Sequence, residues 1–253
     1  MSAPLRDRLR AGEPTLGTFL NLGSALAAEA CALAGFDWLL VDLEHGAGED
    51  NLVGQLLAAA AHEVPVIVRV ETAERIRAGR VLDAGAAGVM FPRLDTETEA
   101  AAAVAHLRYP PEGDRGVATY NRACGFGLRT GALDTANDAV IGVVQIESVR
   151  ALEHVEAIAR TPSVDVLFVG PRDLTHALGV PGRIDAPEYR DALGRVVAAA
   201  RAGGVTAGVL AATRDAADGY LDDGFGFVAV GSDSSFIATA AAAAARPRAG
   251  HLT

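Results

Sequence analysis

Four short stretches of this chain hold most of the side chains capable of chemistry. The first is Val41-Asp42-Leu43-Glu44-His45. Residues two apart on a strand share a face, so Asp42 and Glu44 point the same way. Two such acids in a core are costly, which favours a functional strand end over a structural one. His45 beside them titrates near neutrality and is the leading general-base candidate. His176 is the alternative, whereas His62, His106 and His154 fall on helical stretches and read as surface residues. The second stretch, Val68-Arg69-Val70, places a guanidinium in an apolar run, where it needs an anion. That anion is a substrate carboxylate held by two hydrogen bonds, or Asp42 or Glu44, and both can hold at once.

The third stretch is Gln145-Ile146-Glu147 and the fourth Gly170-Pro171-Arg172-Asp173-Leu174. Gln145 and Glu147 again share a face, and Asp173 follows a Gly-Pro turn. If these stretches end adjacent strands, Glu147 and Asp173 meet, and two carboxylates repel unless a proton or a metal joins them. Two protein oxygens with room for water and a chelating substrate suit Mg²⁺ or Mn²⁺ rather than a closed zinc site. The same pair also fits the acid and nucleophile of a glycosidase. Gly231-Ser232 either cradles a phosphate or, the favoured reading, caps a helix through Ser232 or Asp233.

Composition removes several mechanisms. The chain has 253 residues, and all 22 basic ones are arginine. Without a lysine amine there is no Schiff-base aldolase, no pyridoxal enzyme and no Walker A phosphate loop. A net charge of -10 argues against a nucleic-acid surface and fits an anionic membrane poorly. No apolar run is long enough to span a bilayer, and MSAPLRDRLRAGEP lacks the apolar stretch of a signal peptide. Cys31 and Cys124 form no disulfide framework, which points to a reducing, cytoplasmic setting.

The elements that must position these residues recur regularly. Strands are expected at 15–21, 36–43, 64–70, 88–91, 140–146, 164–169, 205–210 and 225–230. Helices are expected at 25–34, 50–61, 72–84, 96–107, 148–160, 187–202, 214–222 and 235–245. Several strands are nearly continuous apolar runs, as buried parallel strands are. Eight βα units in this length predict one α/β (β/α)₈ TIM barrel over residues 1–253, in preference to a doubly wound sheet. No glycine-rich dinucleotide turn follows the first strand. The glycine-, proline- and arginine-rich stretch 109–130 reads as an ordered loop, with 119–127 lining the substrate mouth. In a barrel, polar groups at strand C-terminal ends form the site, which is where all four stretches fall.

Taken together and in order, these motifs resemble the class II pyruvate aldolases of the HpcH/HpaI family nearly end to end. The matching segments are Gly35-Phe36-Asp37-Trp38 into Asp42-Leu43-Glu44-His45, Val68-Arg69, Leu82-Asp83-Ala84-Gly85-Ala86, Arg108-Tyr109-Pro110-Pro111 and Gly113-Asp114-Arg115-Gly116. They continue with Gln145-Ile146-Glu147, Gly170-Pro171-Arg172-Asp173-Leu174 and Phe227-Val228-Ala229-Val230-Gly231. The resemblance implies a (β/α)₈ barrel with an extra C-terminal helix exchanged between subunits of a homohexamer, a trimer of dimers. It implies cleavage of a 4-hydroxy-2-oxo acid to pyruvate and an aldehyde, with a divalent metal (Mg²⁺, Mn²⁺ or Co²⁺) held by Glu147 and Asp173. Arg69 then holds pyruvate's oxygens, Gln145 neighbours the 2-oxo acid, and Gly170, Pro171 and Arg172 border the substrate. His45 is the acid/base with Asp83 its partner, and Asp42 and Glu44 stand behind the site. Asp83 ends a helix, so it reaches a His45 only across a subunit interface. The chain departs from the family pattern at Leu43, a glycine in close relatives, and at Arg172, a small residue in many members. Leu43 should point away from the site, whereas Arg172 bears on the aldehyde. The competing readings are a CoA-thioester lyase of the citramalyl or malyl type and a non-catalytic barrel that binds 2-oxo acids.

Overall fold

The computed structural model describes residues 3–47 and 49–245; residues 1–2, 48 and 246–253 of the expected 1–253 barrel lie outside them. Eight strands form the frame: β1 (Thr15–Leu20), β2 (Trp38–Asp42), β3 (Val66–Arg69), β4 (Gly88–Phe91), β5 (Ile141–Ile146), β6 (Val166–Val169), β7 (Thr206–Ala211) and β8 (Phe227–Ser232). Each pairs in parallel with the next, and β8 closes on β1. This is the predicted (β/α)₈ barrel, with helices between successive strands.

Side-chain alternation divides each strand between two cores. Val41, Val68, Val144 and Val169 point outward into the layer between strands and helices. Trp38, Leu40, Ile67, Ile141, Val143, Val166 and Phe168 point inward and fill the barrel. Continuing the inward period of two gives Asp42 after Leu40, Arg69 after Ile67, Gln145 and Glu147 after Val143, and Gly170 after Phe168. The polar residues are thus the next layer above a packed apolar interior.

Gly17 makes that interior fit. A Cβ at this position would overlap the Trp38 ring. That ring stacks on Phe227 with centroids 3.8 Å apart, and its Nε1 donates to Thr15 Oγ1 at 3.2 Å. Gly17→Ala is expected to destabilise the protein by about 3 kcal/mol, because the core has no room to yield. Urea unfolding measures this, and a loss under about 1 kcal/mol contradicts the packing argument.

Several expectations change. The strands at 36–43, 64–70, 164–169 and 225–230 begin two residues later than read, because the short apolar connector from the preceding helix imitates strand. The N-terminal residues form the helix Leu5–Arg10, whose Leu5 and Leu9 plug the base of the barrel; their i,i+4 spacing was the available signal. The helix expected over 148–160 is two, Val149–Glu153 and Val155–Ala159, broken at His154. Gly170-Pro171 is the start of a helix, Pro171–Ala177, rather than a turn, with proline in its first turn. His176 therefore lies in a helix rather than a loop. His62 and His106 sit just beyond helix ends, and with His154 they face Glu29, Asp114 and Glu97. Ser232 caps the helix Asp233–Ala244 reciprocally with Ser235, in line with the capping reading. That helix is the eighth of the barrel; among the described residues no extra helix follows it.

The segment 119–127 does not line the mouth of its own barrel. Ala123 N–H donates to Asp83 O at 3.1 Å and Arg122 Nη1 to Ala84 O at 2.7 Å. Both acceptors lie where a helix turns back towards the N-terminal end of a strand. A helix-to-strand connection in this fold necessarily falls at that end. A cavity of about 920 Å³ opens there, bordered by Arg8, Tyr109, Arg115 and Arg122, and it includes none of the strand-end polar residues. Among the described residues no helix is long and apolar enough to cross a membrane.

Candidate active site

Asp42 organises the C-terminal end of the barrel. It is fully buried. Oδ1 accepts from Glu44 N at 3.1 Å, His45 N at 3.3 Å and Arg69 Nε at 2.9 Å. Oδ2 accepts from Arg69 Nη2 at 2.7 Å and Asn21 Nδ2 at 3.3 Å. The strand register makes this pairing direct, because Asp42 lies opposite Arg69 across β2 and β3. The two-bond partner of Arg69 is therefore Asp42, and Nη1 also lies 3.1 Å from Glu44 Oε2, so both acids of the first stretch serve as its anions. The guanidinium sits 5.4 Å from the Phe19 ring centroid, which braces it. Burial works against the Arg69 charge, but Asp42, Glu44 and Glu147 outweigh it and push its pKa up.

The network continues across the barrel. Arg69 Nη1 donates to Gln145 Oε1 at 3.4 Å, and Gln145 Nε2 donates to Glu147 Oε2. Glu147 Oε1 accepts the Arg93 N–H at 2.8 Å. Gly170 lets this happen: a Cβ there would stand 2.7 Å from Gln145 Nε2 and 3.2 Å from Glu147 Oε2. Burial pushes the Glu147 carboxyl above its ordinary range. The Arg93 hydrogen bond and Arg69 pull it down, while the negative charges of Asp173 and Glu44 push it up further. Asp173 lies in the first turn of the helix Pro171–Ala177. Glu147, Asp173 and Glu44 thus load one small region with like charge, which a cation would relieve.

The donor chemistry fits a hard divalent cation. All the candidates are carboxylate oxygens, and Glu147 retains acceptor capacity beyond its two hydrogen bonds. Among the described residues no three His, Cys, Asp or Glu side chains converge as a ready ligand set, so water and substrate would have to supply much of the coordination.

His45 projects into solvent, with its side chain 68% exposed and Nε2 3.8 Å from Glu44 Oε2. Asp83 is not near it: within one chain it sits at the opposite end of the barrel, paired with Arg115 at 2.8 Å. Arg172 is exposed next to Asp173. Sequence reasoning missed Arg93, whose backbone N–H holds Glu147, because a main-chain donor leaves no signature in residue type. It also missed Asn21 and Phe19, which brace Asp42 and Arg69 from the end of β1.

A parallel eight-stranded barrel with a hydrogen-bonded acid–arginine–amide–acid layer at its strand C-termini has the plan of a barrel enzyme. The HpcH/HpaI aldolase/citrate lyase family model matches residues 15–240. The chain is 44% identical over 237 residues to a hydroxypyruvate/pyruvate aldolase of Paraburkholderia phytofirmans, covering 91% of each. It is 41% identical over 226 residues to a 5-keto-4-deoxy-D-glucarate aldolase of Salmonella paratyphi C, covering 89% of this chain and 88% of that one. An HpcH/HpaI aldolase/citrate lyase family protein from Burkholderia cenocepacia superposes with a TM-score of 0.90 at 44% identity, covering 95% of this chain and 96% of that one. The chain belongs to the HpcH/HpaI aldolase/citrate lyase family. It is an aldolase, a carbon–carbon lyase acting on small molecules, and the glycosidase reading of the carboxylates falls away.

Proposed function

We propose that this protein is a class II pyruvate aldolase that reversibly cleaves a 4-hydroxy-2-oxo acid to pyruvate and an aldehyde. The observation that carries the reading is the unbroken run Asp42–Arg69–Gln145–Glu147 at the mouth of a lysine-free barrel. With no amine to form an iminium, charge must be stabilised by fixed cations.

In this reading Glu147 and Asp173 hold Mg²⁺, Mn²⁺ or Co²⁺. When bound, that ion supplies Lewis-acid stabilisation of negative charge developing at the 2-oxo oxygen. Arg69 adds a second positive charge from a fixed direction, because Asp42 holds two of its nitrogens and leaves little freedom to reorient. Gln145 is locked at both ends of its amide and presents a defined edge to the 2-oxo acid. Gly170, Pro171 and Arg172 border the same space. His45, directly or through a water, takes the C4 hydroxyl proton as the C3–C4 bond breaks. The aldehyde departs and the enolate is protonated at C3. Asp83 supports His45 only if it comes from another copy of the chain, which we assign to a homohexamer built as a trimer of dimers. We place the enzyme in the cytoplasm.

The test is proton exchange at the methyl group of pyruvate in deuterated water, followed by NMR. Exchange with Mg²⁺, Mn²⁺ or Co²⁺ present, and at least about 10²-fold slower exchange in excess EDTA, is expected. No exchange with any of the three ions overturns the mechanism. A panel of aldehydes with and without EDTA then identifies acceptors. Cleavage confined to CoA thioesters would instead support the lyase reading, and absence of any turnover the non-catalytic one.

A further inference from the structure

Two cations at the mouth are left out of the network just described. Arg93 follows β4 and Arg172 follows β6, so they stand on either side of β5 and of Glu147, which directly follows it. Neighbouring strands lie about 4.8 Å apart, which puts the two flanking strand ends about 10 Å from one another. Both segments abut the Glu147 carboxylate. Arg93 N–H donates to one oxygen at 2.8 Å, and a Cβ on Gly170, two residues before Arg172, would stand 3.2 Å from the other.

Neither guanidinium has a carboxylate or hydrogen-bond partner among the described residues, and both residues are exposed. Arg69, by contrast, is already committed to Asp42, Glu44 and Gln145. Arg93 also holds φ at 58°, a left-handed conformation that disfavours side chains other than Gly, Asn and Asp.

We propose that Arg93 and Arg172 form a cationic rim that selects acceptor aldehydes bearing a carboxylate beyond the carbonyl over neutral aldehydes of the same length. This rests on the aldolase reading. The acceptor arrives from solvent onto a donor already seated below the rim, so its far end lies at the height of these two residues. Arginine suits a carboxylate there because its fork matches both oxygens. The field of two unpaired cations also raises the encounter rate of an anion at low ionic strength.

The experiment compares kcat/KM for pyruvate addition to succinic semialdehyde with that for its methyl ester, in wild type, Arg172→Gln, Arg172→Lys, Arg93→Gln and the double glutamine variant. Wild type should favour the anion by at least about tenfold, more at low salt. Each glutamine variant should cut the preference several-fold, the double variant should abolish it and its salt dependence, and Arg172→Lys should restore most of it. A preference that is absent in wild type, or that survives in the double variant, overturns the rim. Pyruvate methyl exchange in wild type separates the two readings. Exchange retained with the wrong preference overturns the rim alone, whereas exchange lost overturns the aldolase reading and the rim with it.

Discussion

Replacing Asp42 with alanine should destabilise the protein by about 3–5 kcal/mol, the range for breaking one side of a buried ion pair. The side chain is 1% exposed and its partner Arg69 10%. Asp42 accepts five hydrogen bonds, two of them from that guanidinium and two from the backbone of Glu44 and His45. Its removal strands a buried cation and releases the turn carrying His45. Glu44, 3.1 Å from Arg69, offsets only part of the loss. Activity should fall by at least about 10²-fold, because Arg69 and His45 lose their positions together. Asp42→Asn keeps the shape and should lie between. Urea unfolding followed alongside pyruvate exchange checks both; a variant within about 1 kcal/mol of wild type contradicts the account.

Glu147→Gln should act in the opposite way on stability. Burial, together with the charges of Asp173 and Glu44, raises the pKa of Glu147 in the folded protein. A carboxyl with a raised folded pKa binds its proton more tightly folded than unfolded. Its stabilising contribution is therefore present below the unfolded pKa, and is lost as pH rises through the folded pKa. The ionised group is a cost, and the neutral amide removes it while keeping an oxygen for the Arg93 N–H; its NH₂ then faces Gln145, whose amide must turn over and give up the 3.4 Å bond from Arg69. In metal-free buffer the midpoint of thermal unfolding should not fall. Aldol cleavage should drop by about 10³-fold or more, since an amide oxygen is a poor ligand for a hard cation and carries no charge. The rise in midpoint that Mg²⁺ or Mn²⁺ gives wild type should vanish. A variant whose midpoint still climbs with metal as in wild type would show that Glu147 is not the anchor.

Much of the fold was legible because its causes are local. Apolar runs such as Val66–Val68 and Val166–Val169 are buried on both faces, and alanine-rich helices separate them at regular intervals. What was misread depended on context. Gly170-Pro171 reads equally as a turn or a helix start, and only the chain beyond it decides. His154 interrupts a helix that composition alone would continue. The segment 119–127 has the glycine and arginine content of a ligand loop, but lies at the base of the barrel because it comes after the helix Glu97–Ala105 and leads back to the start of β5.

The sequence by itself determined the barrel, the strand ends that bear its chemistry and the exclusion of amine catalysis, since each follows from residue type and short-range spacing. Only the tertiary structure decided who pairs with whom. Asp42 takes two nitrogens of Arg69 because β2 and β3 align them. Glu147 is held by the Arg93 backbone N–H beyond β4, and among the described residues the guanidinium groups of Arg93 and Arg172 have no carboxylate or hydrogen-bond partner. Those relations depend on strand register and closure, which bring together residues 27 to 76 positions apart, and such separations leave no periodicity to read.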